Sequence, residues 1–428
     1  MEYLSLNKDE LQKEKNILLK EYNRYKNQGL KLDMSRGKPS SEQLDISVKM
    51  LDIINSGSNC KTKDGIDCRN YGLLDGIPEI KELFAKIMQV PSKWVIAGGN
   101  SSLNMMFDTF TCFMTHGVSN CKPWIKQDKI KFLCPCPGYD RHFSILDYYN
   151  VEPIVIDMNS DGPDMNMIEN LIENDESIKG IWCVPKYSNP TGITYSDEVV
   201  KRFAKLKPKA KDFRIFWDDA YAIHDINDNH DNLLSIMNES IKNGTEDNVI
   251  VFCSTSKITF PGSGVAAMAA SENNLKVIKK RYSVQTIGYD KINQLRHMHF
   301  FKDFDGVLKH MQKHKKILKP KFDVVINKLK ENFSENKLVR WSEPNGGYFV
   351  SVDVFNGCAS RVVELCKNAG LILTPAGSTY PKDKDFKDSN IRIAPTYPQI
   401  EELEKAMDLF CVSIKIASVE KIENNKKS

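Results

Sequence analysis

Apolar and polar positions follow two rhythms along this chain. Residues 6 to about 29 carry Leu11, Leu18 and Tyr22 at helical spacing among Lys and Glu and stop near Gly29, which predicts one polar amphipathic helix as an N-terminal arm. A loop, Met34-Ser35-Arg36-Gly37-Lys38-Pro39, follows it. From about 50 to 300 short apolar runs recur at Trp94 to Ala97, Lys131 to Cys134, Pro153 to Ile156, Gly180 to Val184, Phe213 to Trp217 and Val249 to Cys253. Each is bounded by Gly, Pro, Asn or Asp, with longer helical segments between. That alternation predicts a mainly parallel sheet covered by helices on both faces, and such sheets bind ligands beyond the carboxyl ends of their strands.

A longer stripe, Met311, Leu318, Phe322, Val325 and Leu329, spans about Gly306 to Phe333 with Pro320 inside it, which predicts a helix kinked by the missing donor. Beyond it short strands (Gly347 to Val354, Leu371 to Thr374, Asn390 to Ala394) mix with helices, and the last ten residues read as a frayed polar tail. The expected organisation is an arm with part of a small domain (1–49), a large domain (50–305), a kinked linking helix (306–333), a C-terminal small domain (334–418) and the tail (419–428).

Composition narrows the classes. With 428 residues, 41% of them hydrophobic and 27% charged, the chain is globular and long enough for more than one domain. Its 60 Lys and Arg against 56 Asp and Glu leave +4 with no basic tract, so charge points to no nucleic-acid partner. Eleven scattered cysteines and no signal-peptide pattern predict reduced thiols in the cytoplasm. Cys134-Pro135-Cys136 lacks the spacer and the second ligand pair of a metal site, and no run approaches the ~18 apolar residues of a membrane span.

Four strand ends carry complementary polar groups. Ser254-Thr255-Ser256-Lys257 follows the Val249 run; a lysine desolvated in a cleft loses its proton readily and can form a Schiff base, although taken alone a surface lysine after a strand is the better reading. Asp218 ends the Arg214 to Trp217 run with Tyr221 three residues on; a carboxylate there needs a cationic or donating partner, or else serves as a helix cap. Asn189-Pro190-Thr191-Gly192 presents an amide from a rigid turn. Gly98-Gly99-Asn100-Ser101-Ser102 precedes a helical segment, as anion-binding loops do.

Taken jointly, these segments resemble the fold-type I pyridoxal-phosphate enzymes, and closely the class I aminotransferases of the aspartate aminotransferase type, over about residues 33 to 415. The most specific marks are Asn70-Tyr71-Gly72-Leu73-Leu74-Asp75-Gly76-Ile77-Pro78, the Asn189 turn, Asp218 with Tyr221, Ser254 to Lys257, and Asn390-Ile391-Arg392-Ile393-Ala394. The phrases PGYDRHF (137–143), KYSNPTGITYS (186–196) and STSKITFPG (254–262) are similar to one bacterial-type aspartate aminotransferase subgroup. The resemblance implies an α/β fold, with a large domain built on a mainly parallel seven-stranded sheet and a smaller α+β domain. It also implies pyridoxal 5′-phosphate as cofactor.

By that resemblance Lys257 carries the internal aldimine and moves the proton between the substrate's α carbon and the cofactor. Asp218 keeps the pyridine nitrogen protonated with His142 behind it, and Asn189 and Tyr221 donate to the ring's phenolic oxygen. Tyr139 stacks on the ring where related enzymes often use Trp. Gly99, Asn100, Ser101 and Ser254 hold the phosphate, and Tyr71 reaches the phosphate of a neighbouring subunit, implying a homodimer with shared sites. Arg392 grips the substrate's α-carboxylate, and Gly37 lines the substrate.

One departure stands out: Gly264 occupies the place of an arginine that neutralises the phosphate, leaving the task to Ser256, Ser263 and backbone donors or to another cation such as Lys186. A dicarboxylic substrate needs a further cation, for which Arg36, Arg141 and Arg296 are candidates, with Arg281 and Lys291 behind them; each also reads as a solvated or structural residue. The implied reaction is ping-pong transfer from L-aspartate to 2-oxoglutarate, giving oxaloacetate and L-glutamate. Transamination of aromatic or aminoadipate-type substrates and carbon–sulfur lysis are the alternatives. A regulator built on the same fold would need a DNA-binding domain of roughly 60 residues ahead of it, and only about 33 precede the Met34 loop.

Overall fold

The apolar runs between residues 94 and 253 become neighbouring strands of one sheet in the computed structural model, which describes residues 3–118, 120–335 and 338–426. Across the sheet the order is Val95–Ala97, Ala266–Ala270, Val249–Ser254, Arg214–Asp218, Ile178–Cys183, Lys131–Cys136, Glu152–Asn159 and Gly162–Pro163. The pairings from Glu152–Asn159 through to Val249–Ser254 are parallel. Ala266–Ala270 runs antiparallel between Val95–Ala97 and Val249–Ser254.

Two features depart from expectation. The sheet has eight strands where seven were expected, because the two-residue Gly162–Pro163 turns back antiparallel against Met158 and Asn159 as a short edge. Ala266–Ala270 carries no strand signal of its own, since alanine is a poor strand former. Tertiary context overrides that preference: every one of its residues is buried, and the helices Pro78–Met88 and Ser102–His116 pack on it. The central strands Arg214–Asp218 and Val249–Ser254 are buried throughout, as expected when helices cover both faces. Phe132, Trp182 and Phe216 from three adjacent strands lock together, with ring centroids 5.3, 4.6 and 5.7 Å apart.

A second core gathers both ends of the chain. Helix Lys8–Lys26 starts in a capping box between Asn7 and Glu10 and buries Leu11, Leu18, Tyr22 and Tyr25. It packs along the last helix, Ile400–Asn425. Between them in the chain come the strands of an antiparallel sheet, Arg340–Trp341, Val350–Asp353 and Asn390–Ile393, and a two-residue parallel pairing of Leu32–Asp33 with Leu371–Ile372. The expected frayed tail is corrected here: the last helix continues to Asn425, burying Val419 and Ile422. Polar composition hid this, because those two residues extend a helical stripe and Glu423 takes Lys15 at 3.0 Å from the first helix. Lys427 and Ser428 lie outside the described residues.

Helix Phe304–Phe333 runs unbroken through Pro320 and joins the two cores, contributing Val307 and Met311 to one and Phe322, Val325 and Leu329 to the other. Among the described residues no helix is long and apolar enough to cross a membrane.

Candidate active site

Because six strands of the large sheet point the same way, the segments after five of them, at Ala97, Cys136, Cys183, Asp218 and Ser254, gather at one edge. There they line a cavity of about 570 Å³, closed on the other side by residues of the second core. It brings together Ser101, Tyr139, Asn189, Asp218, Tyr221, Ser254 and Lys257 with Gly37, Arg36, Arg141 and Arg392. Gly99 and Asn100 are exposed and outside this lining, and the Asn100 amide donates instead to the Pro261 and Gly262 carbonyls at 3.2 and 3.4 Å. Tyr71 is 82% exposed, away from the cavity. His142 stands behind Asp218.

Asp218 is buried, and its Oδ2 accepts from His142 Nε2 at 3.1 Å. That bond fixes the proton on Nε2, and the imidazole is held flat against Trp182 at 4.5 Å. The other carboxylate oxygen, Oδ1, is buried with no hydrogen-bond partner among the described residues. A buried lone oxygen of this kind is costly unless a donor from a bound molecule meets it. Its neighbour Asp219 is also buried, and desolvation pushes that carboxyl up to about 7.

Lys257 is the one lysine in the cavity lining, and its Nζ has no hydrogen-bond or ion-pair partner among the described residues. It lies 5.1 Å from the Tyr221 ring centroid and 5.7 Å from that of Tyr348. Desolvation lowers its pKa, opposed by Asp218 and assisted by Arg392. Burial raises the Tyr221 hydroxyl well above its ordinary value, so it is a donor.

Arg392 donates from Nη1 to Asp140 Oδ1 at 3.0 Å and Asn189 Oδ1 at 3.2 Å, and from Nη2 to Thr374 at 3.5 Å. Its Nε is buried and unpartnered. Since Asn189 accepts through its oxygen, its NH₂ remains to donate elsewhere. Asp140, the carboxylate anchoring Arg392, carries no sequence signal because the two are 252 residues apart. Phe349, whose ring lies 4.7 Å from the Arg392 guanidinium, was also unanticipated. Gly37 makes room for it: a Cβ there would stand 2.5 Å from Phe349 Cζ.

Four of the other candidate cations are engaged elsewhere. Lys186 pairs with Asp225 at 3.0 Å and donates to Ala222 O, so the expectation that it meets an anion near Gly264 is corrected. Arg281 reaches Asp108, Lys291 donates to Gly72 O, and Arg296 binds Ser263 Oγ and Asn293 Oδ1. Arg36 and Arg141 line the cavity and have no side-chain partner among the described residues. At Gly264 a Cβ would stand 2.9 Å from Thr255 Oγ1 and 3.2 Å from Phe260 O, so this backbone leaves no room for a long side chain. Ser254 donates to Ser256 Oγ at 3.0 Å, which in turn donates to Asn100 O. These hydroxyls face the amino end of helix Ser102–His116, a 15-residue helix capped by Ser101.

Three buried histidines beneath Lys257, His297, His310 and His314, are pushed down to about 4 by desolvation. An unfolded chain binds their protons near ~6.5, so their contribution to stability is complete above that pH and is lost as pH falls through about 4. Asp219, raised to about 7, acts in the opposite sense but is one group against three. Thermal melts from about pH 7 to about pH 4.5 are therefore expected to show a steady fall in Tm below ~6.5; a flat profile would contradict the burial of these imidazoles.

Residues 6–426 match the profile of the family described as aspartate amino-transferase. An aspartate aminotransferase of Corynebacterium glutamicum is 43% identical over 406 residues, 95% of this chain and 94% of that one. The crystal structure of an aspartate transaminase from C. glutamicum superposes with a TM-score of 0.95 at 41% identity, covering 99% of both chains. The fold also matches LysN, the α-aminoadipate aminotransferase of Thermus thermophilus complexed with N-(5′-phosphopyridoxyl)-L-leucine, at a TM-score of 0.72, 16% identity and coverage of 93% and 95%.

Proposed function

The chain belongs to the aspartate amino-transferase family and is an aminotransferase, and from that premise we propose that it uses pyridoxal 5′-phosphate to move the amino group of L-aspartate to 2-oxoglutarate in a ping-pong cycle. The observation that carries the cofactor assignment is the orphaned, buried Asp218 Oδ1 in the same cavity as an unpaired lysine of lowered pKa. Such a carboxylate suits a protonated ring nitrogen. The free Asn189 amide and the Tyr221 hydroxyl suit a phenolic oxygen, and Tyr139 suits a stacked ring. Ser254, Ser256 and the helix end at Ser101 offer donors to a phosphate. Arg392 would take the α-carboxylate, and Arg36 or Arg141 the distal one.

When bound, the cofactor supplies an aldehyde that condenses with amines and a ring that accepts the electron pair released at the substrate's α carbon. The chain's own residues do the rest. Lys257, neutral more readily than an exposed lysine, holds or releases a proton at Nζ within the cavity. His142 fixes the Asp218 carboxylate so that its free oxygen would be available to the ring nitrogen, and Arg392, anchored by Asp140, would hold the substrate by its α-carboxylate in the cavity that contains Lys257. Oxo acid and amino acid share the same two carboxylate anchors, so one must leave before the other enters. Exposed Tyr71 supports a homodimer in which it completes a neighbour's site. Eleven cysteines without a disulfide suit the reducing cytoplasm.

The test is a spectrum of the purified protein with an amino-acid panel. An absorbance band near ~360 or ~430 nm that shifts on adding aspartate is expected; no band, or one indifferent to every amino acid, contradicts the proposal. Product analysis separates transamination, which conserves the amino group, from lysis, which releases ammonia and pyruvate.

A further inference from the structure

The turn that carries Lys257 is held from below by side chains of the linking helix. His310 and His314, one helical turn apart on Phe304–Phe333, both place Nε2 2.9 Å from the carbonyl oxygen of Ile258, the residue after Lys257. A carbonyl oxygen has two lone pairs, and both are used here. The tautomers follow. At His314 the Gln43 amide donates to Nδ1 at 3.1 Å, so Nε2 carries the proton given to Ile258. At His310 Nε2 also meets Ser47 Oγ at 3.2 Å, and only a protonated Nε2 is compatible with the adjacent carbonyl oxygen.

Gln43 extends the connection. Its Nε2 also donates to the Tyr348 hydroxyl at 2.8 Å, and the Tyr348 ring faces Lys257 Nζ. Gln43, His310, His314 and Tyr348 are all buried, so no water competes for these bonds. On the opposite side of the turn His297 meets the hydroxyls of Thr255 and Thr259 at 3.3 and 3.0 Å. The ends of the path lie in different parts of the molecule: Ile258 belongs to the large core, while Tyr348 precedes the Val350–Asp353 strand of the small sheet.

We propose that His310, His314 and Gln43 are positioning residues which hold the backbone beside Lys257 and tie it to Tyr348, so that the placement of the lysine amine depends on how the small sheet and linking helix are seated. This rests on Lys257 being the cofactor-bearing amine. The alternative is that the same bonds merely stabilise the fold, which an unaltered amine environment would reveal.

The experiment reads the pH midpoint between the two absorbance bands of the lysine-bound cofactor in substrate-free holoenzyme, together with Tm, kcat and KM, in His314→Ala, His314→Gln and Gln43→Leu. His314→Ala is expected to shift the midpoint by about half a unit or more and to lower kcat about tenfold, with the aspartate KM changed much less. His314→Gln, which retains a donor and an acceptor, is expected to recover most of both. A lower Tm with midpoint and kcat unchanged overturns the proposal. Should His314→Ala fail to fold, Gln43→Leu decides: it keeps both histidines and removes the amide that joins His314 Nδ1 to Tyr348, so a shifted midpoint supports the proposal and an unshifted one overturns it. Wild-type protein lacking any band that disappears in Lys257→Ala would instead overturn the proposed function, whatever the histidines do.

Discussion

Lys257→Ala is expected to abolish the visible absorbance of the purified protein and to reduce turnover on the order of 10⁴-fold or more, while Tm stays close to wild type. The size of the effect follows from uniqueness: no other lysine lines the cavity, so neither the bond to the cofactor nor the proton transfer at the substrate's α carbon has a substitute. The small effect on stability follows from Nζ having no hydrogen-bond or ion-pair partner among the described residues, only the rings of Tyr221 and Tyr348 nearby. Lys257→Arg should fail nearly as badly, because a guanidinium does not give up its proton in this range. Spectra and steady-state rates of the two variants check this, and a band retained in Lys257→Ala would move the cofactor to another site.

Arg392→Ala is expected to lower kcat/KM about 10³-fold for every amino acid tried, alanine as well as aspartate. The guanidinium is already locked in place by Asp140 and Asn189, so the substrate's α-carboxylate would meet a preorganised fork, and its removal also strands the half-buried Asp140 carboxylate. Lysine cannot meet Asp140, Asn189 and a substrate carboxylate together, so Arg392→Lys should recover little. The distal anchor is distinguishable by contrast. Arg141→Ala or Arg36→Ala, whichever carries that role, should impair aspartate and glutamate and spare alanine. An equal loss on alanine and aspartate would remove the residue from that role.

The sequence pattern foretold most of the strand ends at the cavity because there an apolar run stops at a polar group, as at Trp217-Asp218 and Cys253-Ser254, and burial makes such a change meaningful. What stayed hidden has two physical causes. Some contacts join residues far apart in the chain and leave no local trace: Asp140 on Arg392, or His314 on Ile258. Others are local preferences overruled by packing, as in the alanine strand Ala266–Ala270 and the polar-looking but half-buried end of the last helix. Lys186 illustrates the converse error. A lysine beside the Asn189 turn invites a role toward an anion, but the partner it has, Asp225, lies 39 residues on.

The pairing of the first helix with the last also orders events during synthesis. A ribosome releases the residues of the large sheet, up to Ala270, well before the last helix, so that core can close while the chain is still growing. The first helix emerges earliest and waits longest, with Leu11, Leu18 and Tyr22 lacking their partners until residues 400 to 425 are made. Those first residues are thus the segment most in need of shielding by a chaperone, and a nascent chain halted before residue 400 should hold a folded large core beside an N-terminal arm open to protease.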